Sequence, residues 1–493
     1  MEYIDINEAA KKWGITGRLV QRYCKEERIE GQTKIGNKWA IPANAKKPSD
    51  KRKRKNKTYT SIDLFAGPGG LCTGFRWAGI KALIAVEWSF WTVQTYCASH
   101  DAEIFNLNEY LNGTMKNKKH FFEKSSRTLM IYGDINKVTI SLLREILNKR
   151  FGVDSVDIVT GGAPCESFSM AGDRKEDDSR NELYTNVLRI ARGIDSKMFM
   201  FENVKGLFSK KLDGKVGGMY RAICDDFQKV VKGRTNYTLA STDPKTVLLK
   251  AIEYGVPQAR ERLFLVGINN KYPQGHFAYP KPTHGAGMDY HYVTVADAIM
   301  DLPQVESGIE TNTYDFDIDS VQDETRHAYL ERIRGNETMA PKKLHFNEHY
   351  LCSHKGPGHT KKMMARIMSI KQGEGMQAAY DRLVSEGKKE FVDINYPRKI
   401  YAARNRRLKP NEPSFTVTSH CLDEMIHPYL NRGLTPREVA RLQSFPDWYQ
   451  FQGPYVKFHS DPEQDQYEQI GDAIPPLLAF ALGKEIVKTL SSI

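Results

Sequence analysis

Residues 58–70 read TYTSIDLFAGPGG: a short β-rich run, 58–65, ends in Asp63-Leu64-Phe65, and the chain then turns through Ala66-Gly67-Pro68-Gly69-Gly70 into a helical stretch. By itself the turn decides little. Cys72 stands where a G-x-G-x-x-G spacing needs its third glycine, so a purely structural turn accounts for it. The neighbourhood is more informative. KALIAVE (81–87), TLMIYGD (128–134), SVDIVTGG (155–162) and KMFMFENV (197–204) are further β-rich runs separated by helical stretches, and each carries a polar residue or glycine at or next to its end. That alternation predicts an α/β fold with a doubly wound parallel sheet, in which ligands gather at the carboxyl ends of the strands.

The strand ends carry chemistry. Glu87 lies 24 residues after Asp63, where an acidic side chain can accept hydrogen bonds from ribose hydroxyls; Trp88 can lie along an adenosine, and Asp134 can receive an adenine amino group. Three carboxyl-bearing strand ends and a glycine turn suit a nucleoside cofactor without phosphates, and S-adenosylmethionine has that character. The fourth run leads into Gly161-Gly162-Ala163-Pro164-Cys165-Glu166-Ser167-Phe168-Ser169. A lone cysteine is ordinarily a buried hydrophobe, but on a polar strand-end loop the thiol is reachable and its pKa can be lowered. The next run brings Glu202-Asn203-Val204 to the same edge, so a nucleophile and a carboxyl acid face one pocket.

Composition narrows the class. In 493 residues, 40% are hydrophobic and 27% charged, with 37 Gly and 22 Pro, as in ordinary globular chains of several domains. No 18-residue apolar run or signal-like start appears, so membrane and secreted classes are disfavoured and a cytoplasmic location is expected. The seven cysteines form no Cys-x-x-Cys pair, which argues against both a disulfide framework and a zinc ribbon. Lys plus Arg exceed Asp plus Glu by 72 − 60 = 12, and residues 1–57 alone hold sixteen basic against seven acidic residues.

KKPSDKRKRKNK (46–57) reads as a basic linker, either a solvated tether or an arm that tracks phosphates. Before it, NEAAKKWG (7–14) predicts a short helix capped by Asn7 and ended by Gly14. A second helix is predicted from Thr16 with Leu19, Val20 and Tyr23 on one face, followed by a hairpin, KIGNKWAIP (34–42), turning at Gly36-Asn37. The segment is similar to winged helix-turn-helix domains of excisionase type; a small protein-contact module is the other reading.

From residue 58 onward the chain resembles bacterial DNA (cytosine-5)-methyltransferases, over roughly 58–270 and 415–493 and in the family's motif order. DLFAGPGG resembles the cofactor loop, VEW the ribose strand, GDI the adenine strand, GGAPCESFS the nucleophile loop and ENV the acid motif. QARERLFLVG (258–267) resembles the arginine motif, RGLTPREVARLQSFPD the ninth motif and QIGDAIPPLLA the tenth. Two positions depart from the commonest pattern: Glu166 stands where Gln is usual, and Asp472 where Asn is usual.

The resemblance implies a class I methyltransferase sheet of Rossmann type with S-adenosylmethionine as cofactor, bound by Asp63, Phe65, Gly67, Gly69, Gly70, Glu87, Trp88, Asp134, Ile135, Pro164 and Asp472. It implies catalysis by Cys165, Glu202, Arg260 and Arg262. Carbon 5 of cytosine is a poor nucleophile until a thiolate adds at carbon 6; Cys165 would add, a protonated Glu202 would donate to ring nitrogen 3, and Arg262, with Arg260, would hold the carbonyl oxygen. The target base must rotate out of the duplex, and SMAGDRKEDDSRNEL (169–183) is a loop able to close over it.

The implied division is a winged module at 1–45, a linker at 46–57, a catalytic domain at 58–270, a target-recognition region at 271–430, and a segment at 431–493 completing the catalytic domain. Within the recognition region, 398–419 (RKIYAARNRRLKPNEPSFTVTS) offers several base-reading candidates. His345, His349, Cys352, His354 and His359 match no standard zinc pattern, and no metal is expected. The expected partner is double-stranded DNA, with a monomeric enzyme working in a restriction-modification system beside an endonuclease. A tRNA cytosine methyltransferase and a transcriptional regulator acting through the N-terminal module are the competing readings.

Overall fold

Strands buried on both faces need near-continuous apolar runs, and IKALIAVE and MFMFENV supply them. The computed structural model describes residues 3–15, 17–25, 28–36, 38–48, 58–163, 183–334, 347–457 and 461–493. The chain divides into two units, Met1–Lys57 and Thr58–Ile493.

In the larger unit the strands of the main sheet are β1 (Tyr59–Leu64), β2 (Ile80–Glu87), β3 (Ala102–Asn106), β4 (Thr128–Tyr132), β5 (Ile158–Gly162), β6 (Met198–Val204), β7 (Tyr237–Leu239), β8 (Leu248–Lys250) and β9 (Glu261–Asn269). They form one nine-stranded sheet in the order β7-β9-β6-β5-β1-β2-β4-β3, with β8 also paired to β9. From β6 across to β3 all pairings are parallel. The expectation of a wholly parallel sheet needs correcting at one edge, where β9 runs antiparallel to β6, β7 and β8. The chain reaches β9 from β8 through residues 251–260, a return of the kind that joins antiparallel neighbours, whereas parallel ones need a longer crossover. The register sets Phe264 opposite Glu202 and Arg262 opposite Val204.

The C-terminal helix, Pro476–Ser492, lies against the helix that follows the glycine turn, Gly70–Ala78. Its buried ridge is Leu478, Leu482, Ile486 and Leu490, spaced by four, while Leu477 and Phe480 are only partly buried. Gly74 allows the close approach, since a Cβ there would sit 2.6 Å from the Ala479 methyl. The helix Pro436–Leu442 begins with a capping box formed by Thr435 and Glu438, and Glu438 also takes a bidentate pair from Arg432 at 2.8 and 2.7 Å. Arg441 on the same helix is fully buried between Asp301 and Asp447, so the ninth-motif segment is a paired ionic interior joining distant parts of the chain. Three helices, Lys361–Ser369, Met376–Ser385 and Lys389–Asn395, share a small separate core around Ile367, Met376 and Leu383. No helix among the described residues is long and apolar enough to cross a membrane.

The smaller unit has helices Ile6–Trp13 and Gly17–Lys25 and a three-stranded antiparallel sheet of Tyr3–Ile4, Lys38–Pro42 and Thr33–Ile35. Val20, Tyr23 and Ile41 are buried in its core. The N-cap of the first helix is Asp5, not Asn7: the Asp5 carboxylate accepts from the amides of Asn7 and Glu8, and the Glu8 side chain closes a capping box. Gly14 ends that helix in the left-handed region at φ 63°, and Ile35 pairs with Lys38 across the expected two-residue turn.

Candidate active site

The carboxyl ends of β1, β2, β4, β5 and β6 open onto a cavity of about 680 Å³. Nine of the residues singled out from sequence line it: Phe65, Gly67, Glu87, Trp88, Asp134, Ile135, Glu202, Arg262 and Asp472. Pro164 and Cys165 lie outside the described residues, as do 169–182 of the proposed closing loop. Ala163, two residues before Cys165 in the chain, lines the cavity, and its carbonyl accepts from Asn203 Nδ2 at 3.3 Å.

On one side, Glu87 organises the glycine turn. Its Oε2 accepts from the Gly67 amide at 2.9 Å, and its Oε1 from the amides of Trp88 and Ser89 at 2.8 and 3.1 Å. These use three of a carboxylate's roughly four acceptor positions, leaving one on Oε2. Burial pushes this carboxyl above the usual range, and the three amides pull it back. Trp88 is 68% exposed at the wall. Asp134 caps a short turn through the Asn136 amide at 2.9 Å and is otherwise open. Phe65 holds a left-handed backbone at φ 53°, a conformation seldom adopted outside glycine and retained where surrounding structure enforces it.

Opposite, Arg262 Nε lies 3.0 Å from Glu202 Oε1, and the two side chains are only 15% and 12% exposed. They are diagonal neighbours across the antiparallel β6–β9 pair, which is how two motifs about sixty residues apart meet. Burial pushes the Glu202 carboxyl upward, against the pull of Arg262 and Arg260. Asp472, at the end of the helix Gln466–Asp472, accepts from Gln464 Nε2 at 2.7 Å. Asp472 is itself exposed at the cavity wall, so a carboxyl raised to about 6, mainly by desolvation and partly countered by Arg260, is an upper value for it.

Arg260 is a correction. It does not line the cavity; it is 1% exposed, and its guanidinium donates to the carbonyls of Val417 at 2.7 Å and Gly471 at 2.9 Å. A strand-end arginine aimed at two incoming backbone segments is trapped as a brace, while Arg262, two residues on, keeps its face to the cavity. Asp63, Gly69 and Gly70 also stand behind the wall. Asp63 is buried and accepts from Thr160 Oγ1 and Cys72 Sγ beneath the turn. A Cβ on Gly69 would meet Tyr449 Oη at 2.6 Å, and one on Gly70 would press on the Ile474 carbonyl, so both glycines admit the C-terminal segment to the cofactor turn.

Sequence reasoning did not single out Asn136 or Gln464, and it met Ser419 only as the end of the recognition stretch; all three line the cavity. Gln464 belongs to a loop without periodic pattern and is found only through its bonds to Thr92 and Asp472. His345 lies outside the described residues, and among those described the histidine-rich stretch does not converge. His354 bridges Thr435 Oγ1 and the Pro303 carbonyl, His359 accepts from the Gly433 amide, and Cys352 contacts Arg437. No group of three or more metal-ligating side chains occurs among the described residues.

Among those lining residues the ionisable acids are Glu87, Asp134, Glu202 and Asp472, and the only Lys or Arg is Arg262, already paired. Such a wall repels phosphates and favours a cation. It fits S-adenosylmethionine, a nucleoside carrying a sulfonium and an ammonium.

Comparison with known proteins agrees. The profile of the C-5 cytosine-specific DNA methylase family matches residues 59–122 and 108–488. This chain belongs to that family. It is an S-adenosylmethionine-dependent DNA (cytosine-5)-methyltransferase. The type II methyltransferase M.XorII of Xanthomonas oryzae pv. oryzae is 32% identical over 430 residues, 87% of this chain and 84% of that protein. M.DdeI of Desulfomicrobium norvegicum is 29% identical over 425 residues, 86% and 88% of the two chains. In fold, this methyltransferase is similar to a prophage-encoded E. coli protein solved as a candidate DNA modification methyltransferase, with TM-score 0.61 and 24% identity over 88% of this chain and 99% of that one.

Proposed function

We propose that this methyltransferase modifies one cytosine within a specific duplex sequence, through a covalent bond from Cys165 to an extruded base, as the modification arm of a restriction system. The observation that supports it most is the Glu202–Arg262 pair in the same cavity as Glu87, Asp134 and Asp472, with Ala163 at its edge. Glu87, Asp134, Trp88, Phe65, Gly67, Ile135 and Pro164 would hold the nucleoside end of the cofactor, and Asp472 its ammonium; Asp63, Gly69 and Gly70 shape the turn from behind. When bound, the cofactor supplies an electrophilic methyl group.

The chain's own residues prepare the base. Cys165 thiolate adds to carbon 6, and Glu202, kept toward its protonated form by burial, donates to ring nitrogen 3 and accepts from the exocyclic amine. Arg262 leaves its pairing with Glu202 to hold the carbonyl oxygen as charge develops there. Arg260 acts as a positioning residue that fixes the strand end beneath both. The loop 169–183 closes over the extruded base, residues 271–430 read the flanking sequence, and 431–493 complete the catalytic domain.

The smaller unit, two short helices followed by a hairpin, supports a winged helix-turn-helix reader at 1–45, tethered by the basic linker 46–57. We infer a monomer acting in the cytoplasm with a partner endonuclease; the type II methyltransferases that this chain resembles support the restriction setting. Bisulfite sequencing of DNA from cells expressing the protein tests the reading. Protected cytosines in a single recurring sequence, lost in Cys165→Ala, are expected. Methyl label appearing only in tRNA would overturn it. Deleting residues 1–50 separates a regulatory from an anchoring module: loss of promoter binding with unchanged methylation indicates regulation, and a raised KM for DNA indicates an anchor.

A further inference from the structure

The stretch 398–419 holds more basic and amide side chains than a base reader can use, and the structure sorts them. Arg407 is buried and spends its guanidinium on the carbonyls of Ile370, Ile367, His427 and Leu430. Asn405 is buried in the left-handed region at φ 48°, held to the Asp423 carbonyl through its amide and its side chain, each at 2.9 Å. Lys409 pairs with Glu412, and Arg406 lies over the Phe415 ring near Glu424. These are structural.

Arg404 differs. A turn closed by its amide on the Tyr401 carbonyl, 3.0 Å, presents Tyr401 and Arg404 together, 47% and 55% exposed. The Arg404 guanidinium sits 5.3 Å over the Tyr401 ring and 3.6 Å from Asp423 Oδ2, and among the described residues it makes no hydrogen bond. Its fork of donors is therefore oriented but unspent, and Lys399 flanks the same ring at 5.0 Å.

The turn is fastened beside the catalytic cavity. Asn405, next to Arg404, is bound to Asp423, in the short helix Cys421–Glu424, and Ser419, two residues before that helix, lines the cavity. Four residues of chain, the first two in a turn and the rest in that short helix, span at most about 14 Å, roughly four base-pair steps. A cytosine extruded into the cavity thus leaves its flanking base pairs within reach of an arginine side chain.

We propose that Arg404, braced by Tyr401 and Asp423, is a base-reading residue of this enzyme, and that its guanidinium recognises a guanine edge beside the target cytosine through a bidentate contact. Lys399 serves the phosphates. The inference rests on the reading of the chain as a sequence-specific DNA methyltransferase. Its test uses the full-length wild type, Arg404→Ala, Arg404→Lys and Lys399→Ala, expressed in cells whose DNA is bisulfite-sequenced. A companion assay measures methylation of duplex oligonucleotides carrying the wild-type site and its single-base variants over a range of salt.

Wild type is expected to modify one motif containing guanine near the target cytosine. Both Arg404 variants should lose about 5- to 150-fold discrimination at that guanine alone, since Lys keeps the charge but not the fork. Lys399→Ala should weaken methylation of every sequence alike and reduce the salt slope by about one. Unchanged melting temperature and cofactor affinity in the Arg404 variants shows that the fold is intact. A uniform loss with the motif intact, or an unaltered motif and rate, in Arg404→Ala would overturn the assignment while leaving the methyltransferase reading in place. Absence of modified cytosine in the wild type would instead overturn the underlying reading and the assignment with it.

Discussion

If Asp472 holds the cofactor's ammonium as proposed, it should make the cofactor site sensitive to acid in a way that asparagine, the usual residue at this position, cannot. Its carboxyl is raised to about 6 at most, and a carboxylate is what an ammonium needs. The direction follows from linkage: a raised carboxyl is ionised above its pKa and takes up a proton as pH falls through it, so the attraction is present above about pH 6 and lost below. If only the ionised form holds the ammonium, the apparent Kd for S-adenosylmethionine rises by at most about twofold at pH 6 and at most about elevenfold at pH 5, relative to pH 8. Asp472→Asn should bind more weakly at pH 8 and show a flattened profile, any residual slope belonging to Glu87, which burial also pushes upward. Isothermal titration of both proteins from pH 5 to 8 measures this. Parallel profiles in the wild type and the Asn variant would refute the role of Asp472.

Glu202→Gln keeps a donor and an acceptor for cytosine but has no proton to share, so kcat should fall about 10²- to 10⁴-fold with cofactor affinity intact, read in single-turnover methylation. Gly74→Leu forces a side chain onto Ala479 and should cost at least about 1–3 kcal/mol of overpacking, seen as a lowered Tm. Arg260→Ala strands the carbonyls of Val417 and Gly471 and should destabilise by about 1–3 kcal/mol for each acceptor left unpaired. Arg262→Ala, at the cavity wall, should instead lower kcat with a smaller change in Tm; the reverse ranking would show the two arginines exchanged.

Much of the catalytic half was legible because its signals are local. β-rich runs with carboxylates at or near their ends fixed where Glu87, Asp134 and Glu202 would stand. What escaped was set by distant packing. Nothing near Arg260 announces that the carbonyls of Val417 and Gly471 will arrive to consume it, so it read as a companion of Arg262. β3, only five residues long and carrying Glu103 that pairs with Arg127 and Arg150, has too little apolar pattern to be seen as a strand. Gln464 enters the site through Thr92, 372 positions away, a contact that no spacing encodes. On the C-terminal helix Leu477 and Phe480 are as apolar as Leu478, so the sequence does not choose the inward face, and the approach of Gly74 decides it.

The account turns on a bond between Cys165 and carbon 6 of the target cytosine. It is tested most directly with a duplex carrying 5-fluorocytosine at the modified position, incubated with enzyme and S-adenosylmethionine and run under denaturing conditions. Fluorine at carbon 5 blocks the final elimination, so the wild type should form a stable one-to-one protein–DNA adduct, with the linked peptide containing Cys165, and Cys165→Ala should form none. Methyl transfer to the fluorinated base without any such adduct, or an adduct through another residue, would contradict the account.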